Sequence, residues 1–280
     1  MTKRISFIGV GNMASAIIRG MTEHGAGEFT FDSLMLFDLD PEKTAPFAEK
    51  GAHVAASIAE AVESTDATVL AVKPQQYADV LGKIKDASLS LDAHLFISLA
   101  AGVDTDTIAR ALDASAPIVR TMPNTPLMVS RGVTALSRNA HVSDEEFSFV
   151  SRIFSTCGTC FTLGESEMNR IIAVTSSSIA YFYRAIGALC KGATSEGLDG
   201  EALRAYAASA AIGAATMMIE QKDTPTDELV RMVTSYKGTT EQMLRVMDEN
   251  GFDTIIENAM HACTARANEL GDALRESITG

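Results

Sequence analysis

Ile5-Ser6-Phe7-Ile8-Gly9-Val10-Gly11-Asn12-Met13-Ala14 runs from a short apolar stretch into two glycines, and an amphipathic segment carrying Ile17, Ile18 and Met21 follows at once. That order spells a strand, a tight turn and the start of a helix. Such a turn sets backbone N–H groups and the positive end of a helix dipole where a dinucleotide pyrophosphate can sit. Ala14 stands where the G-x-G-x-x-G pattern has its third glycine, a position that serves helix–strand packing rather than phosphate contact. Glycine pairs occur in many strand–turn–helix units. This one opens a ladder of alternating strands and helices, and Gly9, Gly11, Asn12 and Met13 become cofactor-binding candidates.

Outward from that stretch, strand-like runs recur at Leu34–Phe37, His53–Ala55, Thr68–Val72, Leu95–Leu99 and Ile118–Thr121. Helical patterns lie around 12–24, 41–50, 76–85 and 104–113. Strands alternating with helices predict an α/β unit, a mostly parallel sheet covered on both faces. Ligands of such sheets bind beyond the carboxyl ends of the strands. The loops to watch are Gly9–Met13, Asp38–Pro41, Ala71–Gln75, Ala100–Val103 and Met122–Pro126. After about Leu163 the period of two disappears, and Asn169–Lys191, Gly200–Glu220, Thr239–Asn250 and Thr254–Leu274 read as helices. Ser209–Ile219 is apolar all round, which predicts burial inside a bundle or against another subunit.

Composition narrows the function classes. The chain has 280 residues, 46% of them apolar, enough for one large or two ordinary domains. A net charge of −13 without a Lys/Arg cluster argues against a nucleic-acid partner. No apolar run approaches the roughly 18–20 residues of a membrane span, and the short run after Lys3-Arg4 does not make a signal peptide. A soluble cytoplasmic protein is expected. Cys157 and Cys160 form C-x-x-C without a second ligand pair and read as buried thiols, and the five histidines are scattered, so no metal site is expected.

Individual residues then suggest chemistry. Asp38 ends the second strand, where an acidic group hydrogen-bonds an adenosine ribose and repels a 2′-phosphate. This favours NADH over NADPH, although Asp38 also suits a helix cap before Pro41 and Lys43 could meet a phosphate. Ala71-Val72-Lys73-Pro74 closes the fourth strand over the cleft. Met122-Pro123-Asn124-Thr125-Pro126 closes the sixth, where Asn124 serves either ligand contact or turn chemistry. Thr234-Ser235-Tyr236-Lys237-Gly238-Thr239-Thr240 precedes a helical run. Its free N–H donors suit a small carboxylate, or simple N-capping.

Several motifs in fixed order resemble the pyrroline-5-carboxylate reductases. They are F-I-G-V-G-N-M-A at Phe7–Ala14, A-V-K-P at Ala71–Pro74, S-L-A-A-G-V at Ser98–Val103, R-T-M-P-N-T-P at Arg120–Pro126 and V-T-S-x-x-G-T-T at Val233–Thr240. The segment from Gly251 to Leu270, with Ala265, Arg266 and Glu269, is also family-like. The resemblance implies a doubly wound Rossmann-type domain over residues 1–164. It implies an all-α substrate-binding and dimerisation domain over 165–280, giving an intertwined homodimer or a higher oligomer. It implies hydride transfer from NAD(P)H to a cyclic imino acid, 1-pyrroline-5-carboxylate, giving L-proline. Thr240 and Ser235 would be catalytic, Thr240 donating to the ring nitrogen. Gly238, Thr239, Asn124 and Ser177 would bind substrate. Ala71, Val72, Lys73, Pro74, Ala100, Ala101 and Gly102 would join Asp38 and the glycine loop around the cofactor.

Three departures stand out. Tyr236-Lys237 replaces the two residues after the serine of the family's S-P-G-G-T-T. Thr175-Ser176-Ser177-Ser178-Ile179-Ala180-Tyr181 replaces S-G-S-G-P-A-Y. Ile58 falls where the family often carries an Asn for the ribose. A reductase of a related imino or hydroxy acid and a non-catalytic dinucleotide-binding regulator are the rival readings.

Overall fold

The computed structural model describes residues 3–279, so Met1, Thr2 and Gly280 of the expected domains lie outside the described residues. The chain forms two compact units. A sheet unit runs through Ser176 and resumes at Cys263, and Ser177–Ala262 form a helical unit.

In the sheet unit, β1 (Ile5–Ile8), α1 (Asn12–His24), β2 (Leu34–Phe37), α2 (Pro41–Ala48), β3 (His53–Val54), α3 (Ile58–Glu63) and β4 (Ala67–Leu70) follow in turn. They are succeeded by α4 (Tyr77–Asp86), β5 (Leu95–Ser98), α5 (Thr105–Leu112), β6 (Ile118–Met122), β7 (Gly132–Arg138), α6 (Asp144–Ser155) and β8 (Gly158–Thr162). The eight strands lie in the order β3-β2-β1-β4-β5-β6-β7-β8. All pairs are parallel except β6 with β7. The mostly parallel, doubly wound sheet expected from the sequence is therefore present.

Alternation along the central strands splits the core between two faces. Ile5, Phe7, Val69, Ile97 and Val119 pack with Ile17, Ile18 and Met21 of α1 and Phe149 and Ile153 of α6. Ile8, Leu70, Phe96 and Ile118 pack with Tyr77, Leu81 and Ile84 of α4 and Ile108 of α5. Helix starts follow local chemistry. Asp40, Ser57, Asp104 and Ser143 accept from N–H groups in the first turns of α2, α3, α5 and α6.

In this unit the structure adds α3, β7, α6 and β8 to the elements read from the sequence. β7 buries residues on both of its faces, including the polar Thr134 and Ser137, so it offers no period of two. Cys157 is buried and its Sγ faces the Ala16 carbonyl of α1. A Cβ at Gly20 would overlap that sulfur, so the glycine makes room for it. Burial pushes the Cys157 and Cys160 thiols up.

The helical unit contains α7 (Ser178–Ser195), α8 (Arg204–Glu220), α9 (Thr226–Met232), α10 (Thr239–Glu249) and the first part of α11 (Phe252–Thr279). Of residues 177–262, only Gly200 is buried within one chain. On the all-round apolar α8, Tyr206, Ile212 and Ile219 are 73%, 68% and 76% exposed. An apolar surface on this scale is an association face. Among the described residues, no helix is long and apolar enough to cross a membrane.

Candidate functional site

The order of strand addition reverses between the parallel neighbours β1 and β4, because β1 leads outward to β2 on one side and β4 to β5 on the other. Parallel open sheets bind ligands in the crevice outside the strand ends at such a point. A cleft of about 330 Å3 lies there, lined by Gly9 and Gly11 after β1, Asp38 after β2, and Ala71, Val72 and Lys73 after β4.

Gly9 has φ +91°, and a Cβ there would stand 2.9 Å from Val72 Cγ1 and 3.0 Å from the Ala71 carbonyl. Both facts call for glycine. A Cβ on Gly11, the N-cap of α1, would meet nothing within 4 Å, so this backbone is open to an incoming group. No side chain caps α1. Its first N–H groups, with the positive end of a 13-residue helix, suit a pyrophosphate. Asn12 and Met13 sit in that first turn. The donor set fits the dinucleotide expected from the sequence.

Asp38 is not the cap of α2; Asp40 is, its Oδ1 accepting from Glu42 N–H at 3.1 Å. The Asp38 carboxylate instead turns back to the glycine loop, where Oδ2 accepts from Val10 N–H at 2.7 Å. Its Oδ1 accepts from Asp40 N–H at 2.9 Å and Lys43 Nζ at 3.2 Å. Burial alone would raise this carboxyl, but the two N–H donors and the Lys43 ammonium outweigh it and hold Asp38 below its ordinary value. An ionised carboxylate thus stands in the cleft wall with Lys43 already paired to it.

Ala100, Ala101 and Gly102 form the turn after β5. Ser98 shapes this turn by accepting from Ala100 N–H at 3.3 Å, and the Tyr77 hydroxyl ties β4 to β5, bonded to the Leu70 carbonyl at 2.7 Å and to Ser98 Oγ at 3.1 Å. Pro74 begins a short 3-10 turn, in which Gln76 Oε1 accepts from Lys73 N–H at 3.2 Å.

Asn124 is 4% exposed, and both ends of its amide are engaged. Oδ1 accepts from Val133 N–H of β7 at 2.9 Å, and Nδ2 donates to the Thr175 carbonyl at 2.7 Å. Thr175 lies in a π-helical turn, Ala173–Ser177, that leads into α7. Single π turns gather at functional sites. Ser177 closes that turn, and the Ser176 hydroxyl is buried without a partner.

In the helical unit, Ser235–Thr240 make a tight bend into α10. Lys237 has φ +57°, the left-handed region, and its N–H is held by Glu241 Oε2 at 2.8 Å. Gly238 donates its N–H to the Ser235 carbonyl at 2.9 Å and is the N-cap of α10, again with no side-chain cap. A Cβ at Gly238 would overlap Ser235 Oγ, so the bend requires glycine there. Thr239 and Thr240 open the helix itself, which leaves an uncapped helix start beside three hydroxyls.

The cleft brings together six of the residues expected around a cofactor, and it adds Leu39, Gln76 and Lys83. Ile58, one of the family departures, lines it as an apolar wall. The register of α4 carried a signal for Lys83: with Gln76, Asp79 and Val80 it falls on one face of the helix start.

Residues 165–270 match the family described as pyrroline-5-carboxylate reductase dimerisation, and residues 4–102 match the one described as NADP oxidoreductase, coenzyme F420-dependent. The chain is 35% identical to the pyrroline-5-carboxylate reductase of Escherichia coli (strain K12) over 271 residues, 96% of this chain and 99% of that protein. It is 34% identical to that of Methanosarcina acetivorans over 270 residues, 96% of this chain and 98% of that one. The solved structure of a pyrroline-5-carboxylate reductase from Coxiella burnetii superposes with a TM-score of 0.87 at 32% identity, covering 96% of this chain and 99% of that one. The Plasmodium falciparum pyrroline carboxylate reductase with NADP bound superposes with a TM-score of 0.84 at 25% identity, covering 96% and 98%. On this kinship the chain belongs to the pyrroline-5-carboxylate reductase family.

Proposed function

We propose that this protein reduces 1-pyrroline-5-carboxylate to L-proline with NAD(P)H, the last step of proline synthesis. One observation carries the reading: the kinship runs nearly end to end, so it includes both the glycine loop at Gly9–Met13 and the hydroxyl-lined bend at Ser235–Thr240.

When bound, NAD(P)H supplies the hydride that reduces the C=N bond. Gly9, Gly11, Asn12 and Met13 hold the pyrophosphate on the start of α1, and Ala71–Pro74 and Ala100–Gly102 line the path of the cofactor. N–H groups from Ser235 to Thr239 bind the substrate carboxylate at the uncapped start of α10. Thr240 donates its hydroxyl hydrogen to the ring nitrogen, holding the imine polarised and in register, and Ser235 supports it. Hydride adds to the imine carbon while the ring nitrogen of the neutral imine takes a proton from solvent by way of the Thr240 hydroxyl. The reduction therefore consumes a proton and needs no strong general base. Alignment and polarisation carry the rate, worth roughly 7–11 kcal/mol where geometry is good. Asn124 and Ser177 complete the substrate contacts, Asn124 with the one amide hydrogen left after its bond to Thr175.

NADH is the preferred reductant. The support is electrostatic: Asp38 is ionised, and Lys43, the cation beside it, is already paired at 3.2 Å. A 2′-phosphate would meet a carboxylate instead of a free ammonium. The active form is an intertwined homodimer, which covers the apolar helices of residues 177–262. The protein is cytoplasmic, where its four free cysteines suit a reducing compartment.

The test is oxidation of NADH and NADPH by the purified protein, followed at the nicotinamide absorbance with and without pyrroline-5-carboxylate. Imine-dependent oxidation with a higher kcat/KM for NADH is expected. Tight cofactor binding with no imine-dependent oxidation would overturn the enzymatic reading in favour of a dinucleotide sensor.

A further inference from the structure

The last part of α11 belongs to the sheet unit and lies against the turn after β5. The contact is backbone on backbone. A Cβ at Gly271 would overlap the Gly102 carbonyl oxygen, and a Cβ at Gly102 would stand 3.0 Å from both Cα and N of Gly271. Gly102 itself has φ +83°, so its side of the pair is doubly constrained. One helical turn on, Arg275 Nη2 donates to Asp104 Oδ2 at 2.9 Å, while Asp104 Oδ1 caps α5 by accepting from Thr107 N–H at 2.7 Å. Between them, Leu274 is 7% exposed and packs in the same core cluster as Ala100 and Val103. Positions 271, 274 and 275 share one face of the helix.

We infer that the C-terminal end of α11 is a positioning element for the cofactor, with Gly271 and Arg275 as its positioning residues. The inference rests on the reading that Ala100–Gly102 faces NAD(P)H. A core helix of ordinary packing would seat side chains on this turn. Here two glycines let the helix axis approach until main chain meets main chain, which sets the height of residues 100–102 above the sheet. Arg275 and Asp104 then fix the other end of the turn, because Asp104 is also the cap that starts α5. A displacement of well under an ångström at Gly102 would be passed to the cofactor while leaving the bend at Ser235–Thr240 untouched.

The test is equilibrium binding of NADH and NADPH by fluorescence, with steady-state kinetics, on Gly271→Ala, Arg275→Met and Arg275→Lys in the full chain. Gly271→Ala is expected to raise the cofactor Kd and KM on the order of 10-fold or more, with the KM for pyrroline-5-carboxylate unchanged. Arg275→Met is expected to raise them about threefold, and Arg275→Lys, which keeps the charge on Asp104, to restore most of that loss. A merely structural role would lower the melting temperature without separating the two KM values. Should Gly271→Ala fail to fold, the Arg275 pair decides. Cofactor Kd values within twofold of wild type in Gly271→Ala and Arg275→Met would overturn the inference. A wild-type protein that binds cofactor but reduces no imine would overturn the functional reading and leave this one standing.

Discussion

The side-chain amide of Asn124 bridges two segments that are far apart in sequence, giving a hydrogen bond to the Thr175 carbonyl at 2.7 Å and taking one from Val133 N–H at 2.9 Å. The loop after β6 and the π turn before α7 are thereby one structure. Asn124→Ala would strand a buried N–H and a buried carbonyl, at a cost of roughly 1–3 kcal/mol each. Asn124→Asp would set a carboxylate oxygen against the Thr175 carbonyl and is expected to be the more damaging change. Urea unfolding with kinetics checks both. Wild-type stability in Asn124→Asp would mean that the amide is not the tie it is drawn to be.

Asp38→Ser removes the carboxylate and loosens Lys43, which keeps Asp40 only at 3.8 Å and can turn its ammonium to the ribose edge of the cleft. The ratio of kcat/KM for NADPH to that for NADH should rise about 10-fold or more, the range of one charge-assisted contact. A ratio that stays put would remove Asp38 from cofactor selection.

Thr240→Ala deletes the donor proposed for the ring nitrogen while leaving the start of α10 intact. Turnover should fall roughly 10²-fold or more, as for other single polarising donors, with cofactor binding unchanged. Undiminished turnover would take Thr240 out of the mechanism.

Lys237 sits in the left-handed region at φ +57°, a conformation that disfavours a side chain. Lys237→Gly is therefore expected to stabilise the protein by about 0.5–1 kcal/mol, while Lys237→Ala is not. Thermal melts of the two variants decide. The family's glycine at this position has a plain steric reason, and the lysine here is tolerated because Glu241 holds its N–H.

Acid should weaken the fold through His94. This ring is 9% exposed and bonded to Thr68 Oγ1 at 2.7 Å, and burial pushes it down to about 4 from an ordinary 6.5. The unfolded chain thus takes up a proton at higher pH than the folded one. The stability that depends on the neutral ring is complete above about pH 6.5 and drains away as pH falls towards about 4, by at most about 3 kcal/mol. Urea midpoints at pH 7 and pH 5 should differ less in His94→Gln than in wild type. An equal difference would assign the acid loss to carboxylates alone.

Local chemistry was legible in the sequence, and long-range pairing was not. Gly9, Gly11 and the strand ahead of them announce themselves within ten residues, because tight turns need glycine and helices begin where it ends. Asp38 could be placed at the end of β2 from the alternation of strands and helices, but not its grip on Val10, 28 residues back. β7 escaped because burial on both faces erases the period that marks a strand. The π turn escaped because Thr175-Ser176-Ser177-Ser178 reads as an ordinary polar helix start, and its anchor is Asn124, 51 residues earlier. Nothing in a lysine at position 237 advertises positive φ; only comparison with a glycine-rich relative hints at it.

The bare helices of residues 177–262 bear on how the enzyme behaves when scarce. In the homodimer proposed above, each copy would complete the core of the other's helical unit, so the stability of residues 177–262 should depend on protein concentration. Dilution should then act on these helices as a denaturant does, and heat resistance should rise with the amount of protein present.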